Sequence, residues 1–294
     1  MDRQNNRPVP DFEGYSPNEM QYLYLDPFSS GSPLKLNILE DAAYHSIPML
    51  NLIRHLGAHL KQDGDMKLTA KGFLPVTIVA DLYEQGFYKE TDIESGIVTL
   101  YKQTDSHSID LAVKLSDLAG ITKKRNNKLS LTKNGEKLLE NNPALLRQIL
   151  TKFGFKCNWA YYDRYDPEET AQVGFAFSLV LLKRYGDKKR QDTFYAKKYF
   201  KAFPDLYEGE DAQTEIEENP WNSGRNCYSI RTFERFMHLF GLVAIEYEKT
   251  DKNELWSPER MVILGTPLFN QLFSCAPHRT FPPGHIPPGV PKFD

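Results

Sequence analysis

The sequence contains few cysteines. Its 294 residues include three, Cys157, Cys227 and Cys275, which lie far apart and form no CxxC pair. An odd, sparse set of this kind is typical of free thiols in a reducing compartment and not of a disulfide framework. We therefore expect a cytoplasmic protein with buried thiols.

Long apolar runs are missing as well. No run approaches the roughly 18 residues that a membrane span needs, and the opening MDRQNNRPVPDFEG lacks the apolar stretch of a signal peptide. Hydrophobic residues make up 40% and charged residues 26% of the chain. These values predict a soluble globular protein, and the length is sufficient for two domains.

The chain has no excess of positive charge. Its formal net charge of −3 argues against a protein that coats nucleic acid without preference, since such proteins carry a basic excess. A local basic face remains possible, because the distribution of charge matters more than its sum.

Catalytic motifs are also lacking. We find no GxSxG, P-loop or GxGxxG pattern, and the carboxylates at 163–169 lie at a predicted helix N-terminus, where the helix dipole favours them. His55 and His59 have the i, i+4 spacing of metal ligands, but the intervening Leu-Gly-Ala lacks the glutamate of zinc hydrolases. We expect surface histidines, no metal, no cofactor and no enzymatic activity.

Two short segments share a pattern of alternating apolar residues followed by Leu-Thr, two residues and Gly. They are Met66–Pro75 (MKLTAKGFLP) and Lys128–Leu139 (KLSLTKNGEKLL). Period-2 alternation followed by Thr and Gly predicts a short strand that leads into a helix. Between them lie two helical patterns and a basic turn at Asn126-Asn127 that predicts a hairpin over 121–132.

The resulting order is helix, strand, helix, helix, strand, wing, strand, helix. Over roughly residues 45–152 it resembles the winged-helix superfamily, a variant of the helix-turn-helix. The MKLTAKGFLP segment also resembles one found in uncharacterised bacterial proteins, some linked to plasmid-borne reading frames. The resemblance implies a fold and no particular activity.

The second half of the chain is interpreted as a diverged copy of the same plan. Helical patterns cover Glu168–Tyr185, Thr193–Phe203 and Tyr228–Phe240, two strand patterns follow, and Thr266-Pro267 starts a last helix. An acidic insertion at 205–218 is interpreted as a surface loop. The predicted class is α+β, mostly helical, with tandem winged-helix-like domains and short β-ribbons. The predicted segments are an N-terminal arm (1–44), domain 1 (45–155), domain 2 (156–276) and a proline-rich extended tail (277–294).

The predicted wing of domain 1 is strongly cationic. Residues 122–133 contain no acid and five basic side chains, Lys123, Lys124, Arg125, Lys128 and Lys133. Such a hairpin tip is suited to lie along a phosphate backbone, although lysines also serve simply to keep a turn soluble. The preceding helix weakens the case, because we expect Asp110 and Asp117 on its outer face.

The third helix of domain 2 carries side chains suited to base contacts. They are Arg225, Asn226, Arg231, Thr232 and Arg235, and Arg and Asn are the residues that pair bidentately with guanine and adenine. A basic ridge over Lys183–Lys201 lies nearby in the sequence. An ordinary amphipathic helix with a basic outer face explains the same pattern.

The sequence is compatible with two functions. The first is a DNA-associated protein, a transcriptional regulator or accessory factor, that binds duplex DNA through the basic wing and helix. The alternative is a protein–protein interaction or scaffolding module on the same fold, which the net acidity favours.

Overall fold

The computed structural model of the chain describes residues 2–249 and 259–278, which form a mostly helical α+β protein with small antiparallel sheets. This confirms the predicted class at that level. The α-helices are α1 (Asp2–Asn5), α2 (Pro17–Leu25), α3 (Asp41–Tyr44), α4 (Pro48–Asp63), α5 (Val76–Glu84), α6 (Thr91–Glu94), α7 (His107–Leu118), α8 (Lys133–Leu139), α9 (Asn142–Phe155), α10 (Phe175–Tyr185), α11 (Asp192–Ala202), α12 (Ala212–Glu218), α13 (Ser223–Ser229) and α14 (Pro267–Leu272). The β-strands are β1 (Leu34–Leu36), β2 (Met66–Lys67), β3 (Thr122–Arg125), β4 (Lys128–Leu131), β5 (Arg190–Gln191), β6 (Val243–Lys249), β7 (Glu259–Gly265) and β8 (Phe273–Cys275).

Other helical segments complete the described residues. Short 3-10 helices are found at Pro10–Phe12, Gln103–Asp105, Trp159–Tyr162 and Pro204–Leu206. The chain of α13 continues directly into a π-helix, Ile230–His238.

The chain divides into two compact units. One, here called the inserted unit, comprises residues 38–158 with 239–241, and the other, the terminal unit, comprises the described residues 2–37, 159–238, 242–249 and 259–278. The segment before residue 38, predicted as part of a separate arm, therefore belongs to the terminal unit, where β1 pairs with β8. Apart from Pro277 and His278, the predicted proline-rich tail lies outside the described residues.

The core of the inserted unit is built by α4, α5, α7 and α9. The apolar positions that the 3.6-residue period selects on α4 are all buried, namely Met49, Leu52, Ile53, Leu56 and Leu60. α7 and α9 contribute the buried side chains Ile109, Leu115, Leu146 and Ile149. The helices thus provide the core of the inserted unit, which also contains one small sheet.

That sheet is three-stranded and antiparallel, in the order β2-β4-β3. Met66 of β2 lies opposite Leu129 of β4, and Thr122 of β3 lies opposite Leu131. β2, which lies in the chain between α4 and α5, therefore pairs with β4, the second strand of the hairpin.

The terminal unit has a mainly aromatic core. Every residue from Phe175 to Leu182 of α10 is buried, and the rings of Tyr199 and Tyr228 stack with centroids 4.5 Å apart. Its sheet has the order β5-β7-β6. Here too a short strand between two helices, β5 between α10 and α11, pairs with the second strand of the ribbon, β7.

The chain turns in the same way after α7 and after the π-helix. A glycine with a φ of 69° or 70° occupies each turn, Gly120 after α7 and Gly241 after the π-helix; this left-handed conformation costs glycine little. After the ribbon, Thr132 or Thr266 donates its N–H to the carbonyl of the residue that follows the glycine, over 3.0 Å in both units. The same threonine caps the next helix with its hydroxyl oxygen.

Candidate nucleic-acid interface

The predicted hairpin of the inserted unit is confirmed. Two residues join β3 to β4, Asn126 and Asn127, whose φ angles are 50° and 56°. Two successive left-handed residues match the twist of the flanking strands, and asparagine tolerates this conformation better than most residues. The side chain of Asn127 also donates to the carbonyl of Leu68 over 3.0 Å. The turn is therefore attached to the residue that follows β2.

The strand register places four cations on one face of this sheet. Lys67 of β2 and Arg125 of β3 are both register partners of Lys128 in β4. Because register partners project from the same face of a sheet, the three side chains form a row across the strands. Lys123 joins this face two residues before Arg125, opposite Ser130. All four side chains are exposed, and we call this set the cationic face.

The cationic face has little internal neutralisation. Like charges opposite each other on neighbouring strands destabilise a sheet. Within the described residues, Asp65 is the one acid that pairs with the face, with its Oδ2 3.9 Å from Nζ of Lys128, and both side chains are more than half exposed. An exposed pair at this distance contributes little. The face therefore retains a local positive potential that attracts anions.

The other two predicted hairpin cations lie elsewhere. Lys124 is the register partner of the buried Leu129, on the opposite face, and its Nζ donates to the carbonyl of Gly72 over 3.2 Å. Lys133 is the first residue of α8 and is exposed. The structure thus brings three of the five predicted cations together.

Lys67 is the member of the face that was not predicted from the sequence. The alternation of Met66 and Lys67 was visible as a strand pattern, but its pairing with Lys128 joins positions about sixty residues apart. If the two similar segments had been predicted to pair as β2 and β4 do, their register would have placed Lys67 and Lys128 on one face of the sheet.

The expectation for α7 needs one correction. Asp110 is not on the outer surface but 3% exposed, where it accepts hydrogen bonds from Gln103 over 2.7 Å and from Lys114 over 2.8 Å. A carboxylate held by two donors inside the unit does not repel a phosphate. Asp117 is exposed as expected.

In the terminal unit, three of the side chains predicted to contact bases are buried. Arg225 is 3%, Arg231 0% and Thr232 1% exposed. Arg225 donates to Asp192 over 2.9 Å, and Arg231 makes a bidentate pair with Asp163. Side chains without accessible surface cannot contact a base, so this part of the prediction is wrong.

Two predicted base-contacting residues keep some exposure. Asn226 and Arg235 are partly buried, but Arg235 Nη1 donates to Asp163 over 2.8 Å and Asn226 Oδ1 accepts from Arg225. The prediction placed these side chains on the outer face of one regular helix. Arg225 is already buried in α13, and from Ile230 the chain continues as a π-helix in which Arg231 and Thr232 are buried as well.

Most cations of the basic ridge of the terminal unit pair with acidic side chains of the same unit. Beside β5 and α11, a cavity of about 570 Å³ is lined by Lys189, Arg190, Lys197, Lys198 and Lys201. Each of the four lysines has an acidic partner at 2.6 to 3.1 Å, respectively Glu246, Glu217, Glu13 and Asp11. The ridge therefore differs from the cationic face, whose charges lack such partners.

The ribbon of the terminal unit has the opposite charge character. β6 carries exposed Glu246 and Glu248 where the hairpin of the inserted unit carries only basic and neutral residues. Within the described residues, the β3–β4 hairpin is the more basic of the two ribbons.

One group of side chains has the arrangement of metal ligands. His55 and His59, expected to be ordinary surface histidines, are partly buried and both contact Asp81. Within 2–249 and 259–278 this is the one cluster of three or more such ligands.

Comparison with known proteins gives no match: neither a protein-family model, nor a curated protein, nor a solved structure is similar enough to the chain to count as one. The resemblance of the MKLTAKGFLP segment to bacterial proteins thus stays a prediction. Among the described residues, no helix combines the length and apolar character that crossing a membrane demands.

Proposed function

We propose that the protein associates with duplex DNA through the cationic face of the inserted unit, as a regulator or accessory factor with tandem winged-helix-like units. The order of elements supports this architecture. In each unit a helix is followed by a short strand, by further helices and by a two-stranded ribbon, in the order α4, β2, α5, α7, β3–β4 and α10, β5, α11, α13, β6–β7. The short strand of each series pairs with the second strand of its ribbon.

The observation that carries the proposal is the cross-strand row of Lys67, Lys128 and Arg125. Neighbouring strands lie about 4.8 Å apart, so the row spans about 10 Å. Each DNA strand carries one phosphate per roughly 3.4 Å of helix axis. Because each strand winds around the axis, its consecutive phosphates are farther apart than this rise, and the row is long enough to contact about two of them.

The proposed binding mode is contact with the backbone. Phosphate contacts position a protein on DNA without carrying sequence information, and the arginines first assigned to base contacts are engaged inside the terminal unit. We therefore expect a modest difference in affinity between duplexes of different sequence and a strong dependence on salt.

The test is fluorescence anisotropy with a labelled duplex of about 25 base pairs, titrated from about 25 to 200 mM salt. The binding variant is Lys123→Gln/Arg125→Gln/Lys128→Gln. Each phosphate contact contributes about 0.9 to the slope of log K against log salt. We expect the slope to fall by about 2 to 3, with at least a tenfold loss of affinity at low salt.

The matched control removes the same charge elsewhere on the inserted unit, by Lys61→Gln/Lys102→Gln/Lys156→Gln. These three lysines are exposed, and the control is expected to keep most of the wild-type slope. Equal weakening by both triple variants, or no binding of the wild type at low salt, contradicts the proposal. A protein partner captured in the absence of DNA then becomes the better hypothesis.

A further inference from the structure

A second site lies on the inserted unit, where α4 faces α5. Nε2 of His55 and Nε2 of His59 lie 2.6 Å and 2.7 Å from the same atom, Oδ2 of Asp81. All three candidate ligand atoms lie within 4.8 Å of one another. Two helices thus direct two imidazoles and one carboxylate to a single point.

The local geometry explains the convergence. The i, i+4 spacing places both histidines on one face of α4, and their rings are 5.0 Å apart and nearly perpendicular, at 89°. Because the rings are not stacked, both can present Nε2 to one ion. Phe87 packs edge-on against His55, with ring centroids 5.9 Å apart, and restrains that ring.

We propose that His55, His59 and Asp81 bind one divalent transition-metal ion, with Zn²⁺ as the best fit. Imidazole nitrogen and carboxylate oxygen are among the ligands that Zn²⁺ takes, and three protein ligands leave the fourth tetrahedral position open to water. The side chains are 26%, 24% and 38% exposed, so an ion can reach them from solvent.

The surroundings of the three ligands fit the same role. Oδ1 of Asp81 accepts a hydrogen bond from Gln85, at 3.4 Å, while Oδ2 faces the histidines. Nδ1 of His59 lies 3.8 Å from Oδ2 of Asp63. Metal-binding histidines commonly direct their second nitrogen at a carboxylate, which fixes the ring and increases the basicity of the ligand.

Metal binding has a structural consequence for the inserted unit. β2, which carries Lys67, lies in the chain between α4 and α5. An ion held by both helices restrains both ends of the connecting segment, residues 64–75. We expect slower amide hydrogen exchange in this segment when metal is added.

The direct test is titration of the untagged protein with Co²⁺, which gives visible absorption bands when bound tetrahedrally, followed by competition with Zn²⁺. We expect one ion per chain. Asp81→Asn and His59→Gln should each lower the affinity at least tenfold, since each removes one of three ligands. The control is His45→Gln, an exposed histidine of the same unit outside the cluster, and it should bind as the wild type does.

Thermal unfolding provides a second measurement that needs no spectroscopic signal. Free Zn²⁺ at 100 times its Kd multiplies the ratio of folded to unfolded protein by about 100. The midpoint should rise for the wild type and for His45→Gln but not for Asp81→Asn, whose fold is checked by circular dichroism. The proposal is overturned if the wild type does not bind Co²⁺, or if binding survives both ligand substitutions.

Discussion

Glu13 is the acidic residue around which the start of the terminal unit is held. Its side chain is 9% exposed. One carboxylate oxygen accepts from Lys198 over 2.7 Å and the other from Tyr185 over 2.5 Å, with Arg184 nearby. Desolvation raises the pKa of Glu13, but the hydrogen bonds from Lys198 and Tyr185 and the two positive charges outweigh it. The net result is a lowered pKa.

This lowered pKa predicts how stability depends on pH. A carboxyl group whose folded pKa lies below its unfolded value of about 4.3 stabilises the protein above that value. The contribution disappears as the pH falls through the folded pKa. We expect Glu13→Gln to lower the free energy of unfolding at pH 7 by roughly 1–3 kcal/mol, because three donors lose a charged acceptor.

Urea denaturation at pH 7 and at about pH 3 measures the effect of Glu13→Gln. The difference from wild type should shrink at the lower pH, where a larger fraction of the wild-type carboxyl is protonated. Glu208→Gln, at an exposed position of the same unit, serves as the control and should change stability by no more than about 0.5 kcal/mol. A difference that does not depend on pH would show that the charge of Glu13 is not involved.

Arg231 and Arg235 form a natural comparison, since both donate to Asp163. Arg231 has no exposed surface, and besides Asp163 it donates to the carbonyls of Tyr165, Pro167, Glu168 and Thr170 over 2.9 to 3.0 Å. Arg235 is 27% exposed, and of these acceptors it contacts Asp163, at 2.8 Å. The planar guanidinium of Arg231 thus orders a whole loop, which a lysine cannot do with a single ammonium.

We predict that Arg231→Lys lowers the free energy of unfolding by about 3–5 kcal/mol, since it leaves buried carbonyls and part of a buried charge without donors. Arg235→Lys should cost about 1 kcal/mol or less, because its pair is partly solvated. Chemical denaturation of both variants gives the comparison. Similar losses in the two would refute the assignment of the loop to Arg231.

At the scale of elements, the hairpin turn can be tested separately from its charges. Asn126 has a φ of 50°, a conformation that costs a β-branched residue about 1–2 kcal/mol. We expect Asn126→Val to destabilise the protein by this amount and Asn126→Gly to be nearly neutral. The control is Asn134→Val, in the helix α8, where asparagine and valine have similar propensities.

Urea denaturation of the three asparagine variants provides the measurement. Since both changes to valine remove an amide and add a branched side chain, the difference between them isolates the backbone conformation of the turn. Equal destabilisation at positions 126 and 134 would contradict a left-handed Asn126.

Elements that depend on residues close together in the chain could be predicted from the sequence. The start of α14 at Thr266-Pro267, the apolar face of α4 and the Asn-Asn turn all follow from the sequence, and each depends on residues within a few positions of one another. The helix predicted from Glu168 begins instead at Phe175. The carbonyls of Pro167, Glu168 and Thr170 accept from Arg231, which is more than sixty positions away, and no local pattern reports such a contact.

The same distinction applies to the candidate sites. The cations of the hairpin were evident from composition, whereas Lys67 joins them through pairing with a distant strand. His55 and His59 were noticed by their spacing, but Asp81 reaches them from the next helix of the core. The acidic insertion also contains more structure than a loop, since α12 forms within it and Lys197 pairs with Glu217.

At the scale of the whole molecule, the described parts of the two ribbons differ in charge, since β3–β4 is basic and β6 carries exposed glutamates. The cationic face belongs to a chain with a formal net charge of −3. DNA binding by such a chain combines short-range attraction at the face with weaker, long-range repulsion from the remaining charge. Salt separates the two effects, because the Debye length falls from about 30 Å at 0.01 M to about 8 Å at 0.15 M.

The long-range contribution can be removed by Glu208→Gln/Glu210→Gln/Glu218→Gln. These side chains are exposed, and together they carry as much negative charge as the entire formal net charge of −3. We expect the variant to bind duplex DNA a few-fold more tightly at about 20 mM salt, chiefly through faster association, and to match the wild type at 150 mM salt. Stopped-flow anisotropy at both salt concentrations measures this. Because the variants of the cationic face lose direct contacts, their defect should persist at 150 mM salt, and an equally persistent gain from the three glutamines would mean that these carboxylates themselves lie at the DNA.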